Sequence, residues 1–263
     1  MELQVNGHPA HAATGGRPFD PARPALLFLH GSAMDHTMWA LPARHFARHG
    51  LGVLAVDLPG HGRSGGAPLT TVETLADWVV ALLDTAGVRA AALVGHSMGS
   101  LIALDAAARH PDRVTRIALL GSALPMAVAE PLLAAAAAND HAAIDGLMIW
   151  GHSLAGQLGG SGTPGIHVMA EATRLMERTA PGVLHADLNA CNSYGEPLDR
   201  LDAIRCPTLL LLGERDLLTP RRATKSLAER IADVRSVVLP GCGHMMTAER
   251  PDAVLDVLRG FLL

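Results

Sequence analysis

A serine flanked by glycines is the residue best suited to chemistry in this sequence. Ser97 lies in a Gly-x-Ser-x-Gly pattern at 95–99, directly after the apolar run 90–94 and before good helix formers at 100–109. A side chain presented from a sharp strand-to-helix turn needs strained backbone angles, and glycines two positions away remove bulk that would collide with the neighbouring helix and strand. The pattern predicts that Ser97 is a nucleophile.

A serine hydroxyl becomes a useful nucleophile only when a base removes its proton, and a histidine base needs an acidic partner to fix its tautomer. His244 follows a predicted strand at 235–239, and glycines one and three residues before it let its side chain point across the carboxyl edge of a sheet. A second buried strand is predicted at 207–212. Glu214 and Asp216 follow it and are the two candidates for the acid.

The reaction of a serine with a carbonyl compound also requires hydrogen-bond donors for the negative charge that develops on oxygen. The backbone N–H of Met98, at the predicted start of the helix after Ser97, is the first expected donor. The predicted strand 25–29 runs into a turn that contains Ser32. The backbone N–H of Ser32 is the second expected donor, and the two N–H groups together would form an oxyanion hole.

Five motifs follow one another along the chain: His-Gly-Ser at 30–32, Asp-Leu-Pro-Gly-His-Gly-Arg-Ser at 57–64, Gly-His-Ser-Met-Gly at 95–99, Gly-Glu-Arg-Asp at 213–216 and Gly-His-Met at 243–245. In this order they resemble the motifs of the α/β-hydrolase superfamily. The resemblance implies a mostly parallel, eight-stranded sheet with helices on both faces and a catalytic set of Ser97, Asp216 and His244. The position of Asp216 is the one this fold uses for the acid, which favours it over Glu214.

Hydrophobic patterning predicts the elements that position these residues. An antiparallel pair is expected over 3–14, with its turn at Asn6-Gly7. The other predicted elements are strands at 52–57 and 114–120 and a helix at 71–86 capped by Thr70 or Thr71.

The chain is predicted to divide into a hydrolase core, 1–123 and 201–263, and an inserted helical cap, 124–200. The cap is expected to contain helical segments near 131–138, 141–150 and 168–178, with a glycine-rich loop or hinge at 156–165. A cap of this kind excludes water and shapes the pocket. The candidate pocket residues are Met148, Trp150, Met169 and Met176, whereas His152, His167 and His185 are expected at the surface.

The composition of the chain limits the kinds of partner that the protein can bind. The chain has 263 residues, a net charge of −4 and a single lysine, Lys225, which argues against a nucleic-acid partner. No apolar run reaches the roughly 18 residues of a membrane span, and the first residues lack a signal-peptide pattern. We therefore expect a cytoplasmic protein with no membrane partner, reduced cysteines and no metal or cofactor. The sequence does not decide between a monomer and a homodimer.

The expected substrate is a small-molecule carboxylic ester or thioester with an apolar acyl group, which would acylate Ser97. The serine at this position disfavours the haloalkane dehalogenases and epoxide hydrolases of the superfamily, which carry an aspartate there. Two alternatives with the same triad remain open: a C–C bond hydrolase acting on a vinylogous diketone, and an enol-lactonase. A slow-turnover ligand receptor with a retained triad is the alternative of another class.

Overall fold

The computed structural model describes residues 1–160, 165–195 and 198–263 and contains one eight-stranded sheet. Its order is β1-β2-β4-β3-β5-β6-β7-β8, and all neighbours from β4 to β8 pair in parallel. The first hairpin pairs antiparallel within itself and with β4. The predicted mostly parallel sheet is confirmed. The strands are β1 Glu2–Val5, β2 His8–Ala13, β3 Ala25–Leu29, β4 Gly52–Val56, β5 Ala91–His96, β6 Val114–Leu120, β7 Thr208–Gly213 and β8 Val234–Leu239.

Central strands form from uninterrupted apolar runs because both faces of the sheet are covered. Every residue of β3, β4, β5 and β7 is buried. Along β3, Leu27 and Leu29 pack into the apolar cluster on one face, whereas Leu26 and Phe28 pack into the cluster on the other. The parallel register brings the carboxyl ends of β3, β5, β6, β7 and β8 to a single edge, where the predicted site residues follow.

Helices cover both faces of the sheet. The helices α2 and α3 supply much of one cluster, and α1 and α12 pack in the other with Trp39. Thr71 caps α2, as one of the two predicted caps, by accepting the N–H of Thr74. These helices are α1 Ala40–Arg48, α2 Val72–Thr85, α3 Met98–Arg109, α10 Lys225–Arg230, α11 Met246–Glu249 and α12 Pro251–Leu262.

Between β6 and β7 the described residues form helices and no strand. Their apolar side chains make a third cluster, which also contains Ala33, Met34 and Met245 from the loops at the carboxyl edge of the sheet. The predicted glycine-rich loop begins within α6, and 161–164 lie outside the described residues. These helices are α4 Glu130–Ala137, α5 Ala142–Gly151, α6 Leu154–Gln157, α7 Val168–Glu177, α8 Val183–Ser193 and α9 Leu198–Leu201.

The structure also describes the helix lengths and the cysteines. Across the described part of the chain, no helix combines the length and apolar character needed to cross a membrane. The three cysteines, Cys191, Cys206 and Cys242, are free thiols.

Candidate active site

Ser97 occupies a strained turn between β5 and α3. Its backbone has a φ of 53° and a ψ of −118°, a conformation that costs a non-glycine residue free energy. A side chain at Gly95 would overlap the Gly99 carbonyl oxygen, and one at Gly99 would overlap the Leu29 carbonyl oxygen. The two glycines are therefore needed because the helix, the turn and β3 approach each other closely here.

His244 and Asp216 lie together at the ends of β8 and β7. The Nδ1 of His244 is 2.8 Å from Oδ2 of Asp216, and both side chains are almost fully buried. Thr219 donates its hydroxyl to the same Oδ2 at 2.5 Å and its backbone N–H to Oδ1 at 2.8 Å. Burial opposes the charge of this carboxylate, but His244 and these hydrogen bonds prevail and lower the pKa of Asp216 to about 2. Asp216 is therefore ionised at neutral pH.

The backbone of His244 is fixed from two sides. Its N–H donates to the Gly151 carbonyl at the end of α5 at 2.8 Å, and its carbonyl accepts a hydrogen bond from Nε2 of His96 at 2.9 Å. Burial, and then the nearby His244, lower the pKa of His96 to about 3, so His96 is neutral with its proton on Nε2. A Cβ at Gly121 would lie 2.8 Å from the His244 ring. These contacts hold the imidazole in one place.

Ser97 and His244 line the same small cavity of about 40 Å³, together with Gly31 and Ser32. Because Nδ1 of His244 faces Asp216, its Nε2 is the nitrogen left to act on Ser97. Asp216, predicted as the acid, contacts this histidine. Glu214, the competing candidate, instead accepts the N–H of Gly241 at 2.8 Å.

Both expected oxyanion donors lie beside the nucleophile. Met98 is the first residue of α3, and a Cβ at Gly31 would lie 3.3 Å from Cβ of Ser97, which places the 31–32 backbone against it. Among the described residues, the N–H groups of Ser32 and Met98 donate to no other protein group. They are free to bind a developing oxyanion.

A buried ion pair beside this loop was not predicted. Asp187 on α8 accepts the Ala33 N–H at 2.8 Å and lies 2.9 Å from Nε2 of His61. Nδ1 of His61 is 3.0 Å from the Pro59 carbonyl, so both ring nitrogens face acceptors. Burial opposes protonation, yet the Asp187 charge and these acceptors raise the pKa of His61. No local pattern indicates this pair, because α8 lacks clear amphipathic spacing and the two residues are far apart in the chain.

A larger cavity of about 280 Å³ opens from Ser97. Its lining is mainly apolar and includes Trp150, one of the predicted pocket residues. Met176 lines the small cavity that also contains His244, whereas Met148 is buried in the apolar cluster of these helices. Met169 packs at the edge of that cluster. Met148 and Met169 line neither of the two cavities that contain Ser97.

The expectation that His152 is exposed is wrong. His152 is buried at the end of α5, and its Nδ1 is 2.9 Å from the Met148 carbonyl. His167 is exposed and His185 is half-buried. The sequence pattern missed the burial of His152 because α5 ends against the His244 loop, a contact that no local spacing indicates.

Two other side chains could in principle act as nucleophiles, and their surroundings argue against both. Cys191 lines the larger cavity, but burial and the nearby Asp187 charge raise the pKa of its thiol to about 12. Ser153 follows a helix rather than a strand, donates to the buried carboxylate of Glu249 and caps α6. Neither has a histidine base arranged as at Ser97.

A family model for the alpha/beta hydrolase family matches residues 26–257 of the chain. This chain belongs to the alpha/beta hydrolase family. The match includes all five motifs named from the sequence and confirms the predicted family and fold.

Individual relatives of this alpha/beta hydrolase are named as enzymes. The chain is 33% identical over 260 residues to the pimeloyl-[acyl-carrier protein] methyl ester esterase of Aromatoleum aromaticum, covering 90% of this chain and 99% of the relative. It resembles the structure of an enol-lactonase from Burkholderia xenovorans LB400 with a TM-score of 0.87 at 26% identity, covering 100% and 99% of the two chains. A structure titled "Est816 as an N-Acyl homoserine lactone degrading enzyme" matches with a TM-score of 0.83 and 26% identity over 100% of both chains. The predicted enzyme class, a hydrolase of the esterase type, is confirmed.

Proposed function

We propose that this protein is a carboxylesterase that forms an acyl-enzyme on Ser97. The observation that supports it most is the convergence of three features at one sheet edge. Ser97 is presented from a strained turn, it shares a cavity with His244, and His244 is hydrogen-bonded to the ionised Asp216. This is the arrangement needed to remove a proton from a serine hydroxyl.

In the first half-reaction, Nε2 of His244 accepts the proton of the Ser97 hydroxyl as Oγ attacks the carbonyl carbon of the ester. The Ser32 and Met98 N–H groups bind the resulting oxyanion. Collapse of the tetrahedral intermediate breaks the ester C–O bond, and the His244 proton passes to the departing alkoxide. In the second half-reaction His244 activates water, which releases the carboxylic acid and restores the Ser97 hydroxyl.

The larger cavity indicates the substrate class. Its described lining is mainly apolar and includes no basic side chain, so a neutral acyl chain fits it better than a second carboxylate. Its volume of about 280 Å³ is near the lower end of ligand pockets, about 300–1,000 Å³, which supports a small to medium acyl group. Arg174 and Arg178 line a different cavity that does not contain Ser97. A relative named as a methyl ester esterase is consistent with this class.

We further propose that 124–200 form a cap over a core made of 1–123 and 201–263. Leu132, Leu147 and Trp150 from this segment line the cavity above Ser97, and the apolar side chains of its helices pack against Ala33, Met34 and Met245 of the core. The free cysteines are consistent with a cytoplasmic location.

Enol-lactone hydrolysis is the second candidate, and the structural similarity to an enol-lactonase supports it. A lactone contains the same ester bond within a ring, so its hydrolysis gives a single product molecule that carries both the acid and the alcohol. A substrate panel of p-nitrophenyl acetate, butyrate and octanoate, enol-lactones and a vinylogous diketone separates the candidates by kcat/KM.

The decisive variant is Ser97→Ala, with Ser153→Ala as the matched control. We expect Ser97→Ala to lose at least about a thousandfold in kcat on p-nitrophenyl butyrate, whereas Ser153→Ala folds less stably but retains its activity per folded molecule. Normal turnover by Ser97→Ala would refute the proposal. Less than one turnover per chain by the unaltered protein on every substrate of the panel would favour the receptor alternative.

A further inference from the structure

A cluster of histidines and carboxylates lies outside the proposed active site, between the first hairpin and β4. His11 belongs to β2, His36 to a short 3-10 helix after β3, and Asp57 directly follows β4. The Asp57 N–H donates to the His11 carbonyl at 3.0 Å, so pairing of the two strands brings these residues together. None of the three lines a cavity that contains Ser97.

Each of the two imidazoles has a carboxylate on its Nδ1, an exposed one at His11 and a buried one at His36. Nδ1 of His11 lies 2.5 Å from the Glu2 carboxylate, and Nδ1 of His36 lies 2.7 Å from Oδ1 of Asp57. Neither Nε2 has a hydrogen-bond partner within 1–160, 165–195 and 198–263. A carboxylate on one ring nitrogen orients a metal-binding histidine and makes its other nitrogen a better ligand. Both rings therefore have the second contact that metal-ligating histidines show.

The cluster is also compact. The ring centroids of His11 and His36 are 4.8 Å apart, and one donor atom from each of His11, His36 and Asp57 lies within 4.8 Å of the other two. Two imidazole rings at this spacing can turn their Nε2 atoms to a shared ion with small side-chain movements, since metal–nitrogen bonds are about 2.0–2.1 Å long.

Backbone contacts hold these side chains in place. The His11 N–H donates to the Ser64 hydroxyl at 2.9 Å. The Asp57 carboxylate, which is fully buried, accepts the N–H groups of His36 at 2.7 Å and Arg63 at 2.9 Å. Little conformational freedom remains to be lost when a ligand binds, which favours affinity.

We propose that His11 and His36 bind a divalent d-block cation such as Zn²⁺ through their Nε2 atoms, with the Glu2 and Asp57 carboxylates holding the Nδ1 atoms of the two rings and water completing the coordination. Imidazole nitrogens select zinc, copper or nickel, whereas Mg²⁺ and Ca²⁺ require sets of oxygen ligands that this cluster does not provide. The ion would connect the first hairpin to the sheet, and its role would be structural. The proposal is independent of the function of Ser97.

The test uses the full chain without an affinity tag, stripped of metal by dialysis against a chelator. Isothermal titration with ZnCl₂ and the visible absorption of bound Co²⁺ measure affinity and coordination. We expect one specific equivalent of metal to bind, and His11→Gln and His36→Gln each to weaken binding at least tenfold. Glu2→Gln, which removes only the carboxylate behind His11, should weaken it about tenfold.

The matched control is His49→Gln. His45 and His49 stack with centroids 4.0 Å apart on the surface near the end of α1, and such a pair is the competing explanation for zinc binding. Ser97→Ala should bind zinc as the unaltered protein does, and circular dichroism of each metal-free variant checks that it is folded. Absence of specific binding, unchanged affinity in folded His11→Gln and His36→Gln, or loss of binding only in His49→Gln would each overturn the proposal.

Discussion

The Asp187 carboxylate joins α8 to the loop that supplies the proposed Ser32 donor. It accepts the Ala33 N–H at 2.8 Å and lies 2.9 Å from Nε2 of His61, and both side chains are almost fully buried. Asp187→Ala would leave His61 without its counter-charge and free the Ala33 N–H. Breaking a buried pair by removing one partner costs about 3–5 kcal/mol of the free energy of unfolding.

Catalysis should fall as well, because Ala33 directly follows Ser32 and has a φ of 53° that its neighbours must maintain. Complete loss of one oxyanion donor lowers kcat by about 10²–10³-fold. Because Asp187→Ala displaces the donor without removing it, we expect kcat to fall by at least about tenfold and by no more than that range. KM should change little, since the donor acts mainly on the transition state. Asp187→Asn keeps an oxygen acceptor and should lower the free energy of unfolding by about 2 kcal/mol. The hydrogen bonds with the Ala33 N–H and with His61 each weaken by about 1 kcal/mol when the charge of the acceptor is removed.

Urea unfolding gives the stability change, and kcat and KM on p-nitrophenyl butyrate are measured at a temperature where each variant is folded. Asp145→Asn is the control, because Asp145 is exposed and pairs with the exposed His141; it should change stability by less than about 0.5 kcal/mol. An Asp187→Ala protein that is folded and has an unchanged kcat would refute the positioning role. Unchanged stability would also show that the pair contributes nothing to the fold.

Three further outcomes follow from the site geometry. Gly99→Ala should destabilise the fold by about 3 kcal/mol through overlap with backbone, whereas Gly260→Ala, with open space around it, should stabilise α12 by up to about 1 kcal/mol in thermal unfolding; equal effects would contradict the steric argument. Thr219→Val removes one hydrogen bond to Asp216 and should lower kcat about fivefold, for about 1 kcal/mol, without a matching change in KM; an unchanged kcat would contradict it. The pKa of Asp216 is lowered from 3.8 to about 2, so its ionisation stabilises the fold by about 2 kcal/mol above pH 4 and this contribution is lost as the pH falls through 2; the difference in unfolding free energy between wild type and Asp216→Asn should shrink over that interval.

The sequence indicated the candidate site residues because their signals are local. Glycines around Ser97 and before His244 mark the ends of strands, and parallel strands bring those ends to one edge. The strands themselves were predictable because buried parallel strands require apolar runs. The helix at 71–86 was found for a similar reason, since a threonine cap precedes a regular apolar face.

The parts that the sequence did not reveal depend on contacts between distant residues. The helix α8 was not predicted, because its polar positions include Asp187, whose charge is buried only by pairing with His61 across 126 positions. The apolar side chains of Met148 and Met169 make them candidates for the pocket, but which face of a helix borders a cavity depends on how the helix is rotated against its neighbours. The proximity of His11 and His36 likewise follows from strand pairing and not from spacing in the chain.

The central claim is that Ser97 is the residue that His244 activates, and covalent labelling tests it most directly. The protein is incubated with diethyl 4-nitrophenyl phosphate, which phosphorylates activated serines, and intact and peptide masses are then measured. We predict one diethylphosphoryl group per chain, located on Ser97, with labelling slowed strongly in His244→Ala. Labelling of Ser153 or another residue in place of Ser97, or labelling of Ser97 at the same rate without His244, would contradict the account.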